Sequence, residues 1–203
     1  MHDGIGAHTM DFRPYNRRAL DLSELIVDQV TPERLDLPTP CAPWTVRELL
    51  SHMVAQHLRF AAVARGEDPE QACPVDKAEL GPDPAAAFRE SARIVTESFA
   101  AGADDAEVLL PEIGRPIQLS QLISFHFFDF VVHAWDVAVS VEAPYAPPAE
   151  LSALAYRVGQ VIPDASRVPG GSFAPVVQVG SDADELAKLL GLAGRDPGWT
   201  AGA

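Results

Sequence analysis

The sequence predicts an all-α protein, a four-helix bundle with a short C-terminal appendage. Two observations lead there. Four sizeable segments carry apolar residues at three- and four-residue spacing, and each is bracketed by helix start and stop signals. Connectors of medium length join them, as in bundles whose neighbouring helices pack side by side.

The first helix is expected from Asp11 or Pro14 to about Val30, with Leu22, Leu25, Ile26 and Val30 on one face. Thr31-Pro32 stops it. Pro38, Pro40 and Pro43 then make a stiff connector around Cys41, because each fixes φ and removes a backbone donor. Thr45 opens the second helix, and Glu48 three residues on completes a capping box. That helix runs to Arg65, where Gly66 suits a C-terminal stop. Residues 67–82 read as loop.

Asp83-Pro84 is a cap followed by a proline at the first helical position, and the third helix continues to Ala101 before Gly102. Residues 103–118 read as a connector. The fourth helix, the most apolar, spans Leu119 to Val141. A fifth covers Pro148 to about Ile162, followed by a Pro169-Gly170-Gly171 turn. Phe173–Val179 suggests a short strand. A last short helix is expected from Ser181 to about Leu190, capped by Ser181, with a loop tail from Gly194 to Trp199. The domain reading is an arm over 1–10, a metal-binding bundle over 11–145 and a helical appendage over 146–203.

The chain has 203 residues and a formal net charge of -14. Nucleic-acid binding needs a basic stripe, and none is present. The carboxylate surplus also opposes docking on an anionic membrane. The N-terminus lacks a basic region followed by an apolar one, so no secretory signal is read. Cys41 and Cys73 are too few for a disulfide scaffold. Free thiols in a cytoplasmic protein are the plainer expectation, and neither cysteine has a sequence neighbour that makes it a nucleophile.

The fourth helix holds the chemistry. At about 100° per residue, with His126 at zero, Asp129 falls near about 300°, His133 near about 340° and Asp136 near about 280°. These four ionisable side chains share a stripe about 80° wide, bordered by Phe130 and Val137. Charge beside apolar residues costs several kcal/mol unless it is paired or bound to a metal. Asp129 and His133, one turn apart, present an oxygen and a nitrogen toward one point, as in carboxylate-and-histidine metal sites of helical bundles. His133 and Asp136 form an i, i+3 pair whose carboxylate can join the site or instead act from behind it, on the ring or on a nearby helix. The second helix offers His52 and His57. Its apolar stripe of Val46, Leu49, Leu50, Met53, Val54, Phe60 and Ala61 centres on His57, while His52 sits at the edge. Periodicity alone therefore leaves the choice between them open.

Pro38-Thr39-Pro40-Cys41 followed by Trp44-Thr45-Val46-Arg47-Glu48-Leu49-Leu50-Ser51-His52 resembles the opening of an actinobacterial metal-binding family. That family is related to mycothiol-dependent maleylpyruvate isomerase and belongs to the DinB/YfiT-like superfamily of four-helix bundles. His133-Ala134-Trp135-Asp136-Val137-Ala138 resembles its second signature. Gly194-Arg195-Asp196-Pro197 with Trp199 resembles the ending of a short subgroup.

The resemblance implies a divalent metal, zinc or nickel, held by His52, Asp129 and His133, with Asp129 standing where the isomerases carry glutamate. It implies mycothiol or an analogue as cosubstrate, in a thiol transferase or isomerase-like reaction. His126, about two turns before His133, is a proton-carrier expectation. The isomerases have a larger C-terminal domain that supplies a basic residue near the site. Here Arg167 and Arg195 are the C-terminal arginines. The rival expectation is a non-catalytic metal- or small-ligand-binding module that forms a homodimer.

Overall fold

A computed structural model describes residues 10–75, 78–163, 167 and 173–201. The expected arm before Met10 and the Pro169-Gly170-Gly171 turn lie outside the described residues. Along the chain run α1 (Arg13–Val27), a 3-10 turn (Pro32–Arg34), α2 (Val46–Ala64), α3 (Pro69–Ala72) and α4 (Pro84–Ala101). After these come β1 (Glu107–Leu110), β2 (Arg115–Gln118), α5 (Leu119–Ser140), α6 (Ala149–Gly159) and α7 (Glu185–Leu192).

The four long helices α1, α2, α4 and α5 pack around one core. α5 touches α1, α2 and α6, and α4 touches α1 and α2. α5 is long and apolar enough to cross a membrane by length and composition. In this fold most of it is buried against its neighbours, with Leu119, Leu122, Ile123, Phe127, Phe130 and Val131 at 0% exposure. The predicted α2 stripe, Val46 through Ala61, is buried as expected, and His57 lies in it at 0%. The capping box forms. The Thr45 N–H donates to Glu48 Oε2 at 2.7 Å, and the Glu48 N–H donates to Thr45 Oγ1 at 3.4 Å. Asp83 caps α4 by accepting from the Ala86 N–H at 2.9 Å.

Five expectations need correction. α1 ends at Val27, so Val30 follows it in a turn, and Leu25 is 63% exposed. The loop after α2 contains the one-turn α3. The 103–118 connector contains an antiparallel hairpin, β1 paired with β2, whose turn uses Gly114 at φ +68. This is the chain's small sheet among the described residues. Phe173 makes one isolated bridge with Arg167, and residues 174–180 form no strand. Asp184, not Ser181, caps α7, accepting from the Ala187 N–H at 2.7 Å.

Two arginines fasten the connectors. Arg13 donates to the carbonyls of Phe99 at 2.8 Å and Gly102 at 2.6 Å, satisfying the end of α4. Arg59, 4% exposed, donates to Glu70 at 2.6 Å and Glu112 at 3.0 Å, tying α3 and the hairpin turn to α2. α6 packs on α5, and α7 on α6. Gly159 permits the close approach there: a Cβ on it would lie 2.6 Å from Phe128 Cε2 and 3.0 Å from Leu192 Cδ2.

Candidate metal centre

Three segments converge on one end of α5. The first is the proline-rich connector. Pro38 bridges to Thr45, and Thr39 Oγ1 donates to the Trp44 carbonyl at 2.8 Å while accepting from the Cys41 N–H at 3.1 Å. This tight loop delivers Cys41 to α5 just before α2 begins. The second is α5 itself, with Asp129, His133 and Asp136. The third follows α7. The Gly194 N–H bonds to the Gly191 carbonyl at 3.1 Å and the Arg195 N–H to the Leu190 carbonyl at 2.8 Å. That is a Schellman stop, with Gly194 at φ +77 supplying the left-handed residue. It turns the chain so that Arg195 points back to α5.

Asp136, at 0% exposure, is the hub. Arg195 holds it with two parallel bonds, Nε to Oδ1 at 3.1 Å and Nη2 to Oδ2 at 3.0 Å. The Cys41 thiol donates to Oδ2 at 3.0 Å, and Arg195 Nη2 also reaches Cys41 Sγ at 2.9 Å. His133 Nδ1 lies 2.9 Å from the same Oδ2. A carboxylate so paired only accepts, so the proton sits on Nδ1 and His133 Nε2 carries the free lone pair. Burial works to raise the Asp136 pKa, but Arg195 and His133 outweigh it and hold the carboxyl well below the usual range. Burial and the Asp136 charge push the Cys41 thiol well up, against the opposing charge of Arg195. Cys41 is therefore a protonated donor at neutral pH, not a thiolate nucleophile.

His52 is half-buried, with its ring 4.7 Å from that of Trp44 and 5.2 Å, edge-on, from that of His133. Asp129 is half-buried. Burial raises its carboxyl pKa, while the charges of His133, His52 and Arg195 act to lower it. His52, Asp129 and His133 thus share one neighbourhood. His57 and His126 lie deeper, each at 0% exposure, with ring centroids 5.3 Å apart. His126 is bonded through Nδ1 to Asn16 Oδ1 at 2.7 Å, and burial pushes its pKa down to about 3.

A second donor set exists on the other side of His133. Cys41, His133 and Asp136 offer ligand atoms within 4.8 Å of one another. The Arg195 guanidinium already lies within 3.1 Å of two of these groups. A metal ion there would have to displace a cation or sit beside one. Toward His52 and Asp129 the guanidinium acts on the Asp129 carboxyl through its charge. That side offers two imidazoles and a carboxylate, donor types that can hold a metal.

Sequence reasoning named Arg195 only as one of two C-terminal arginines and gave Cys41 no partner, and so missed that both meet Asp136. The usable signal was the glycine after α7 with an arginine behind it. Cys41 gave none, because its partners are 92 or more residues away.

Residues 17–138 match the family described as the mycothiol maleylpyruvate isomerase N-terminal domain. Two proteins of Mycobacterium tuberculosis, from two strains and both termed uncharacterized, are each 30% identical over 188 residues. The match covers 90% of this chain and 98% of theirs. A crystal structure of the mycothiol-dependent maleylpyruvate isomerase is similar with a TM-score of 0.57 at 13% identity. A histidine-to-alanine mutant of that isomerase gives 0.58 at 11%. Each structural match covers 72% of this chain and 65% of the other, so the likeness is one of fold over about two thirds of the isomerase.

Proposed function

The chain belongs to the mycothiol maleylpyruvate isomerase N-terminal domain family, and from that membership and the geometry around His133 we propose a divalent-metal-binding four-helix bundle of DinB/YfiT type that acts on a low-molecular-weight thiol. The ligands are His52, Asp129 and His133, the metal is zinc or nickel, and the thiol is mycothiol or an analogue. The reaction class is thiol transfer or an isomerase-like step on an electrophile.

The observation that carries this reading is the bond between His133 Nδ1 and Asp136 Oδ2 at 2.9 Å. Metal-ligating histidines characteristically donate their other ring N–H to a carboxylate, which fixes tautomer and orientation. Asp136 is itself held by Arg195, so the ring is braced through two layers. Asp129 supports the same reading. A half-buried carboxyl whose pKa burial raises gains from a cation placed between it and two imidazole nitrogens.

A bound divalent ion lowers the pKa of a coordinated thiol and keeps it as thiolate at neutral pH. The chain's own residues do the rest. His52 and His133 would supply imidazole nitrogens, and Asp129 would offset one positive charge. Trp44 covers the His52 ring on one side, limiting its motion. Asp136 with Arg195 keeps the proton of His133 on Nδ1.

Two measurements test this. Purified protein should carry about one zinc or nickel per chain, or take it up after chelation. His133→Ala and Asp129→Ala should lose it while remaining helical by circular dichroism. A wild-type chain that neither carries nor acquires metal overturns the site. With metal loaded, mycothiol should disappear in the presence of suitable electrophiles. No turnover across a broad panel would leave the metal-binding module and discard the reaction.

A further inference from the structure

Three donor atoms behind His133 are spaced for a metal ion, yet a guanidinium stands among them. Cys41 Sγ lies 3.0 Å from Asp136 Oδ2 and 3.9 Å from His133 Nδ1, and Nδ1 lies 2.9 Å from Oδ2. Atoms at these separations share a point about 2 Å from each of them. That is the length of zinc bonds to nitrogen and oxygen, and close to the roughly 2.3 Å of a zinc–sulfur bond. Thiolate, imidazole and carboxylate are also the donor types that zinc takes. By distance and chemistry this triangle rivals the His52 side for a divalent ion, and the two sides share His133.

Arg195 occupies the triangle instead. Its Nη2 lies 2.9 Å from Cys41 Sγ and 3.0 Å from Asp136 Oδ2, so it touches two of the three donors, while Nε holds Oδ1 at 3.1 Å. Nη1 is tied back to the Ala193 carbonyl at 2.9 Å. The side chain is 11% exposed. Its backbone is pinned as well. The Arg195 N–H bonds to the Leu190 carbonyl at 2.8 Å, and Gly194 before it presses on Ala174, where an added Cβ would lie 2.7 Å from both the Ala174 Cβ and its carbonyl oxygen. The planar fork is thus held in place from both ends.

The charges show what the guanidinium replaces. With Arg195 in place the group is neutral: one guanidinium, one carboxylate, one protonated thiol and one neutral imidazole. With a divalent ion in its place the group would be neutral again, with one carboxylate and one thiolate. Binding there would expel Arg195, release the Cys41 proton to solvent and move the His133 proton from Nδ1 to Nε2. Arg195 and the thiol proton therefore carry the two positive charges that the ion would bring. An ion entering beside the guanidinium meets like charge at close range in a poorly hydrated place. A proton on Nε2 also removes the lone pair that the His52 centre uses, so one neutral imidazole cannot serve both sides.

We propose that Arg195 is a specificity-determining residue, a resident cation that fills the Cys41–His133–Asp136 triangle and so confines divalent metal to the His52 centre. The inference rests on the reading of that centre as a metal site. It also goes beyond bracing. An arginine that only braced Asp136 could be removed without turning Cys41 into a metal ligand.

The test uses the full chain with Cys73→Ser, which leaves Cys41 as the sole thiol, titrated with Co(II), whose bond to a thiolate absorbs in the near ultraviolet by charge transfer. The parent should bind Co(II) without that band. Arg195→Ala should gain a band equivalent to one thiolate per chain, and adding Cys41→Ser should abolish it. Arg195→Lys keeps the charge, and its band should be at least tenfold weaker than that of Arg195→Ala. If Arg195→Ala fails to fold, Arg195→Gln, which loses the charge but keeps an amide to bond Asp136, takes its place with the same expectation. Adding His52→Ala and Asp129→Ala to the opened chain should leave the band intact, since neither residue belongs to the triangle. A parent that binds no Co(II) beside an Arg195→Ala chain that shows the band discards the His52 centre and supports the closed triangle, so the two failures read differently. A thiolate band in the parent overturns the proposal. So does a folded Arg195→Ala or Arg195→Gln chain without one, or an Arg195→Lys band equal to that of Arg195→Ala.

Discussion

Replacing Asp136 with asparagine keeps the shape of the hub and removes its charge. Arg195, whose side chain is 11% exposed, then loses the anion that holds it with two bonds. The single amide oxygen cannot serve both Arg195 Nε on one side and the Cys41 and His133 donors, at 3.0 and 2.9 Å, on the other, so an NH2 faces a donor on one of them. Removing one partner of a buried pair costs about 3–5 kcal/mol, because the other charge stays buried and unpaired. For a chain of this size each kcal/mol moves the melting temperature by about 2–4 °C, so the variant should melt roughly 6–20 °C lower. Calorimetry on metal-free protein reads this without the contribution of bound ligand. Arg195→Leu with Asp136→Leu should recover most of the loss, since two apolar residues leave no orphan charge. The reasoning fails if Asp136→Asn melts within about 2 °C of wild type. It fails equally if the double variant loses the sum of the two single losses, since the pair would then be uncoupled.

Two further outcomes follow from the core. His126 stays neutral in the folded chain down to about pH 3, while unfolded histidine protonates near about 6.5. The unfolded state binds the extra proton in that window, so stability is full above it and falls as pH drops. From pH 6 to 4.5 the metal-free wild type should lose about 2 kcal/mol more than His126→Leu in urea titrations, and parallel losses would refute the assignment. Gly159→Ala places a Cβ 2.6 Å from Phe128 Cε2 and should destabilise by about 1–3 kcal/mol, despite the better helix propensity of alanine. A higher melting temperature for that variant would show the α5–α6 contact to be slack.

The sequence alone determined the four long helices, the caps of α2 and α4, and the shared face of Asp129, His133 and Asp136 on α5. Thr45 with Glu48, Asp83 with Pro84 and the three- and four-residue apolar spacing are local signals, and local physics realised them. It placed His57 in the core of α2, because periodicity reports burial directly. It could not separate a buried histidine from a ligand, and the case for His52 came from a resemblance between motifs. The hairpin in residues 103–118 escaped notice because its strands are four residues each, too short for a periodic pattern to register.

Tertiary structure alone decided the partners. Cys41, Asp136 and Arg195 are 95 and 59 residues apart in sequence, yet they meet within 3.1 Å. A Schellman turn after α7 and a proline-bound loop before α2 bring them there, and no spacing rule spans such distances. The same holds for Asn16, His57, Ser91 and His126, which read as unrelated residues until four helices bring them into one layer. Helix periodicity fixes the face a side chain presents. The group it meets there is fixed by how the helices pack.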